Sequence, residues 1–150
     1  MKRDPSLVPL SHQHHNGLAL CVLTDRSLTA DESEENIGRL AGKIVARFEI
    51  ELVNHFELEE QLLFPACPGS LAELIAELVA DHREMERLVA GIGSNPTTDL
   101  LKEFIDLLRR HIRREESELF EQAQRLLPRH ILDSLGQQFE EKAVRICLEP

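Results

Sequence analysis

Apolar residues recur along this chain at steps of three and four, the period that returns side chains to one face of an α-helix. From about Glu34 to Leu63 the positions Ile37, Leu40, Ile44, Phe48, Leu52, His55, Glu59 and Leu62 keep that step, until Pro65, Pro68 and Gly69 break it. A third segment opens at Ser70, a good cap, and carries Leu71, Leu74, Leu78, His82, Met85 and Val89 before Gly91 and Gly93. Asn95-Pro96 makes a turn. Thr97 or Thr98 then caps a fourth helix with Leu101, Phe104, Leu108, His111, Glu115 and Leu119, stopping near Leu127 before Pro128.

The ends follow the same logic. Residues 1–9, with Pro5 and Pro9, read as an extended arm. Ser11 is the expected cap of a first helix from His12 to about Arg26, where Leu18, Cys21, Val22 and Asp25 fall near one stripe with His14 or His15 above them. Thr29 to Glu35 reads as a loop. A fifth segment, about Arg129 to Leu148, is amphipathic through Ile131, Leu135, Phe139, Ala143 and Ile146. Nothing alternates like a strand. The pattern predicts an all-α fold: an antiparallel up-down four-helix bundle over 10–127, preceded by the arm and followed by an additional C-terminal helix, 128–150, packed on it.

At 150 residues this is one domain, large enough to bury ~68 to 70% of its unfolded surface. The net charge of -10 argues against nucleic acid. The densest basic group, Arg109, Arg110, Arg113 and Arg114, stands beside Glu115 and Glu116 and reads as a solvated helix face. The apolar run Leu18 to Leu23 is too short for a signal segment or a membrane span. Cys21, Cys67 and Cys147 are odd in number and form no Cys-x-x-Cys, which fits a reducing, cytoplasmic setting without a disulfide framework. Cys21 reads as a small core residue, Cys67 and Cys147 as exposed thiols. Trp and Tyr are absent, so no tyrosyl ligand or radical is available.

The chemistry lies on the buried stripes. Three histidines precede a glutamate by four residues: His55 and Glu59, His82 and Glu86, His111 and Glu115. Positions i and i+4 share a helix face, so each pair presents an imidazole and a carboxylate together. An isolated carboxylate in a core is strongly unfavourable, and buried imidazoles need partners; a metal cation offsets all of these costs at once. Glu86 sits on a half-exposed flank, where the alternative is a solvated glutamate. Imidazole and carboxylate donors without thiolate suit iron, manganese or zinc, and bridging carboxylates favour a metal pair. Ferritin-like proteins use Glu-x-x-His instead. Here Leu52, Val79 and Leu108 stand three residues before the histidines.

The set His55-Phe-Glu-Leu-Glu59-Glu60 with Leu63-Phe64-Pro65, Asp81-His82-Arg-Glu-Met, and His111-Ile-Arg-Arg-Glu115-Glu116 with Leu119-Phe120 resembles the hemerythrin-like, or HHE cation-binding, family over roughly residues 10–125. The resemblance implies a non-haem di-iron centre held by His14 or His15, His55 and Glu59, His82, and His111 with Glu115, with both glutamates bridging; His12 would lie outside the ligand set. Oxygen carriers of the family place a second histidine four residues before the one matched by His82. Leu78 stands there, so Glu86, a solvent ligand or an open position takes its place. A more open, carboxylate-rich site favours oxidation of iron over reversible oxygen binding.

The leading expectation is therefore a di-iron protein that interacts with oxygen, peroxide or nitric oxide in sensing, stress response or iron handling. An alternative is a regulatory module with a single structural zinc or manganese, in which the fifth helix covers the site or forms a homodimer contact. A ferroxidase or peroxidase is a further alternative, less favoured than a metal- and oxygen-binding protein. No nucleophile arrangement and no phosphate loop is apparent.

Overall fold

A computed structural model describes residues 2–145 of the chain. Its elements are helical throughout: α1 (Val8–Ala30), α2 (34–66), α3 (Ala72–Ser94), α4 (98–126) and α5 (Arg129–Lys142), with short 3-10 turns at Pro5–Leu7 and Gly69–Leu71. No described helix is long and apolar enough to cross a membrane.

The expected N-terminal arm is largely ordered helix. Prolines at 5 and 9 fall in first turns, where a missing N–H costs no hydrogen bond, so they start helices instead of blocking them. Asp4 caps the leading turn, accepting the Ser6 N–H at 3.0 Å. Ser11, the expected cap, consequently lies inside α1 and donates its hydroxyl to Glu116 at 3.0 Å. The expected loop at 29–35 shrinks to 31–33, since α1 continues through Ala30 and Ser33 caps α2 by accepting the Asn36 N–H at 3.2 Å. Ser70 sits within the 3-10 turn that precedes α3, and Thr97 is the cap of α4. The fifth helix ends at Lys142, short of the expected Leu148. Ile146, Cys147 and Leu148 lie outside the described residues.

The long helices pack cyclically, α1 against α2 and α4, and α3 against α2 and α4. Two apolar clusters fill the space between them. One is built on Ile44, Phe48, Phe56, Met85, Ile92, Phe104 and Ile112. The other is built on Leu10, Leu58, Leu63, Leu78, Leu119 and Phe120 and is closed by Leu132, Leu135 and Phe139 of α5. Along each helix the residues between the two clusters are the buried polar ones, so the core is interrupted by a polar layer at mid-height.

α5 is fastened to the N-terminal turn. Arg129 donates to both oxygens of Asp4, at 2.7 and 3.0 Å, and its guanidinium holds that carboxyl well below the ordinary carboxylate range. Gly136 passes so close to the turn that a Cβ there would lie 2.9 Å from the Ser6 Cα. Gly136→Ala is therefore expected to destabilise the fold by about 1–3 kcal/mol in denaturant titration. Gly38, where a Cβ would meet nothing within 4 Å, is the control: Gly38→Ala should stabilise by about 0.5–1 kcal/mol.

Candidate metal centre

The polar layer draws on all four long helices. α1 contributes His14, α2 His55 and Glu59, α3 His82, and α4 His111 and Glu115, each at most 3% exposed. Their donor atoms form two groups within 4.8 Å: His14, His55, Glu59 and Glu115 in one, and Glu59, His82, His111 and Glu115 in the other. Both carboxylates belong to both groups. Glu115 turns Oε2 toward His14 Nε2 (2.9 Å) and His55 Nε2 (3.7 Å), and Oε1 toward His111 Nε2 (2.6 Å) and His82 Nε2 (3.6 Å). Glu59 Oε1 lies 3.2 Å from Nε2 of both His55 and His82.

Local backbone geometry explains the placement. Glu59 and Glu115 each open a π-helical turn, whose carbonyls accept the N–H groups of Phe64 and Phe120. Such a turn takes in one extra residue and recurs at functional sites. It lets the glutamate face the bundle axis while Leu63 and Phe64, or Leu119 and Phe120, still reach the apolar cluster below. Phe120 stacks on His14 with ring centres 5.2 Å apart, and Phe64 lies over His82 at 6.0 Å.

An outer layer orients the rings. His82 Nδ1 donates to Glu60 at 2.8 Å and His111 Nδ1 to Asp81 at 2.9 Å, while His55 Nδ1 bonds the Gln13 amide oxygen at 2.9 Å. Glu116 stands 3.7 Å from His14 Nδ1. With the proton on Nδ1, the Nε2 lone pairs of His55, His82 and His111 point inward, the tautomer a metal requires.

The inward atoms fit a cation. Among the described residues, the buried side-chain nitrogens and oxygens without a hydrogen-bond partner are His14 Nδ1, His55 Nε2, both Glu59 oxygens, His82 Nε2, His111 Nε2 and Glu115 Oε1. All belong to this cluster. Each such orphan costs ~1–3 kcal/mol. His14 Nδ1 faces outward toward Glu116; a cation among the other six atoms relieves their costs together. In the metal-free protein, protons must do part of that work. Burial and the charge of Glu115 push Glu59 well above the ordinary carboxyl range. Burial also acts to raise Glu115, but the charge of His111 beside it holds it well below. Burial opposes protonation of His111, yet Glu115 and Asp81 raise it to about 9, whereas burial and His14 push His55 down to about 4.

Of the remaining expected residues, His15 and His12 are exposed on the outer face of α1, so of the first-helix candidates His14 is the one brought into the cluster. Glu86 is not brought to the cluster: its side chain is 42% exposed and its carboxylate pairs with Arg83 at 3.0 Å. Leu78 is fully buried in the apolar cluster. Cys21 is a buried core thiol, raised to about 11 by burial, and donates to the Ile105 carbonyl at 3.5 Å. Cys67, expected to be exposed, is half-buried against the lower cluster.

Gln13, Glu60, Asp81 and Glu116 went unassigned from the sequence. Their signal was adjacency: each stands next to a residue of the cluster, and neighbouring helical positions flank each other closely enough to reach the ligand of the next helix. A repeat also becomes visible. His55, Glu59, Glu60, Leu63 and Phe64 recur in the same spacing as His111, Glu115, Glu116, Leu119 and Phe120, and Gln13-His14 as Asp81-His82.

Metal uptake at neutral pH must displace the proton that Glu115 and Asp81 hold on His111. Calorimetric titration in buffers of different ionisation heat should find at least one proton released per chain, with affinity falling as pH drops from about 9. Affinity independent of pH across that range would contradict the assignment.

A family model described as the hemerythrin HHE cation-binding domain matches residues 7–123. No curated protein and no solved structure matches the chain. With the matched span covering most of the sequence and including all six cluster residues, the chain belongs to the hemerythrin HHE cation-binding family.

Proposed function

We propose that this protein holds a pair of iron ions, one in each donor group, with Glu59 and Glu115 bridging them inside an antiparallel up-down bundle. The observation that carries this reading is the sharing of both carboxylates by two groups that each add a different pair of imidazoles. Donors that are all nitrogen and oxygen, without thiolate, favour iron or manganese over soft-metal sites, and the family points the same way. A bound iron pair would supply redox chemistry toward dioxygen, peroxide or nitric oxide, in sensing, stress response or iron handling.

The chain's own residues define what reaches the site. Leu78, in place of a further imidazole on α3, is fully buried in the apolar cluster beneath the donors and offers a small ligand no hydrogen bond. Phe56, stacked on His82 with ring centres 3.8 Å apart, and Phe120 on His14 fix the rings and exclude bulk water. Asp81 and Glu60 raise the electron-donating power of His111 and His82.

Protein purified with iron should carry two irons per chain, one per group, and show near-ultraviolet absorption that an apoprotein without Trp or Tyr lacks. A chain that takes up no iron refutes the proposal; a single zinc or manganese without redox response would support the structural alternative. Because the metal binds only the folded chain, loading at a hundredfold over Kd should add about 2.7 kcal/mol, a rise of roughly 10 °C in Tm. Glu115→Ala should strip both ions, since its two oxygens face opposite halves, whereas His82→Ala should spare the ion of the His14 and His55 half.

A further inference from the structure

The two halves of the cluster are backed by different chemistry. His111 is held by a carboxylate, Asp81, which accepts through either oxygen and has no N–H to present by mistake. His55 is held by Gln13, whose amide has one acceptor and one donor end. If that amide were reversed, its NH2 would face His55 Nδ1, the ring proton would move to Nε2, and the inward lone pair would be lost. Something must therefore fix which way Gln13 points.

The residues after α5 do so. The Gln13 Nε2 donates to Asn54 Oδ1 at 2.9 Å and to the Val144 carbonyl at 3.0 Å. Asn54 is itself an amide with two ends, and it too is fixed by backbone: Val144 N–H donates to its Oδ1 at 2.9 Å, and its Nδ2 donates to the Lys142 carbonyl at 3.1 Å. A backbone N–H can only donate and a carbonyl can only accept. The strap over residues 142–144 thus dictates the orientation of Asn54, the strap and Asn54 dictate that of Gln13, and Gln13 dictates the tautomer of His55. The strap runs beside a cavity of about 150 Å³ lined by Val8, Pro9, Gln13, Glu140, Ala143 and Val144, while Ala143 also packs against the lower apolar cluster.

We propose that the strap is a working part of the metal centre: seated, it sets His55 to bind metal through Nε2, and unseated, it weakens the ion of the His14 and His55 half while leaving the His82 and His111 half intact. Gln13 and Asn54 are positioning residues in this relay. The inference rests on the two-ion reading above, but its first test does not need metal.

In the metal-free full chain, ¹⁵N imidazole shifts should place the His55 proton on Nδ1, and Asn54→Ala should move it toward Nε2 with the His111 tautomer unchanged. In the iron-loaded full chain, a ferrous chelator under anaerobic conditions should remove iron in two phases. Asn54→Ala should weaken the first by about 10–100-fold and leave the second unchanged. Adding Gln13→Glu to Asn54→Ala gives His55 an acceptor that needs no orientation, and should restore both the tautomer and the first phase. If Asn54→Ala leaves the His55 tautomer and both phases as they were, or weakens both phases alike, the relay is wrong. A chain that binds no iron yet shows the tautomer shift overturns the two-ion reading and keeps the relay.

Discussion

Two ionisable carboxyl groups, Glu59 and Glu115, stand fully buried at the centre of this bundle and face the lone pairs of four imidazoles. That arrangement is electrostatically unfavourable without positive charge among the donors, and everything around it serves either to hold it or to keep water from it. The apolar clusters above and below give it low dielectric surroundings. The π turns at both glutamates let one helix serve the polar layer and the apolar layer beneath it without breaking register. In the metal-free chain the two carboxyls shift in opposite directions: burial and the charge of Glu115 raise Glu59, and His111 lowers Glu115.

The site is built twice. The pair α1 and α2 supplies an imidazole from each helix and one carboxylate shared by both donor groups, and α3 and α4 supply the same. Even the outer partners correspond, Gln13 with Asp81 and Glu60 with Glu116. Where the repeats differ is where the halves acquire separate properties. A neutral amide backs His55 and a carboxylate backs His111, so the second half is held by charge and the first by orientation. Orientation has to come from elsewhere in the fold, and that links residues 142–144, beyond the family's matched span of 7–123, to the buried histidine layer.

Much of this was legible in the sequence because burial and chemistry share one helical period. His55, Glu59, His111 and Glu115 fall on the same stripes as Phe48, Leu52, Leu108 and Leu119, so periodicity alone placed them inward. His14 and His15 could not be separated that way, since they lie four and three residues before Leu18 and both steps fit a helical stripe; packing against Phe120 and Glu115 separates them. Glu86 shares the i+4 spacing of the strong pairs but lacks their tertiary setting, and Arg83 draws it to the surface. The outer residues escaped notice because their partners lie on other helices, where one-dimensional spacing carries no information. The helical start at Val8 was hidden by prolines that suit a first turn as well as they suit a coil.

The central claim is that one bundle holds two ions through shared carboxylates. Anomalous diffraction at the iron edge from crystals of the iron-loaded protein tests it most directly. The account predicts two peaks, one among His14, His55, Glu59 and Glu115 and one among Glu59, His82, His111 and Glu115. A single peak, or any peak whose ligands exclude Glu59 and Glu115, would contradict it.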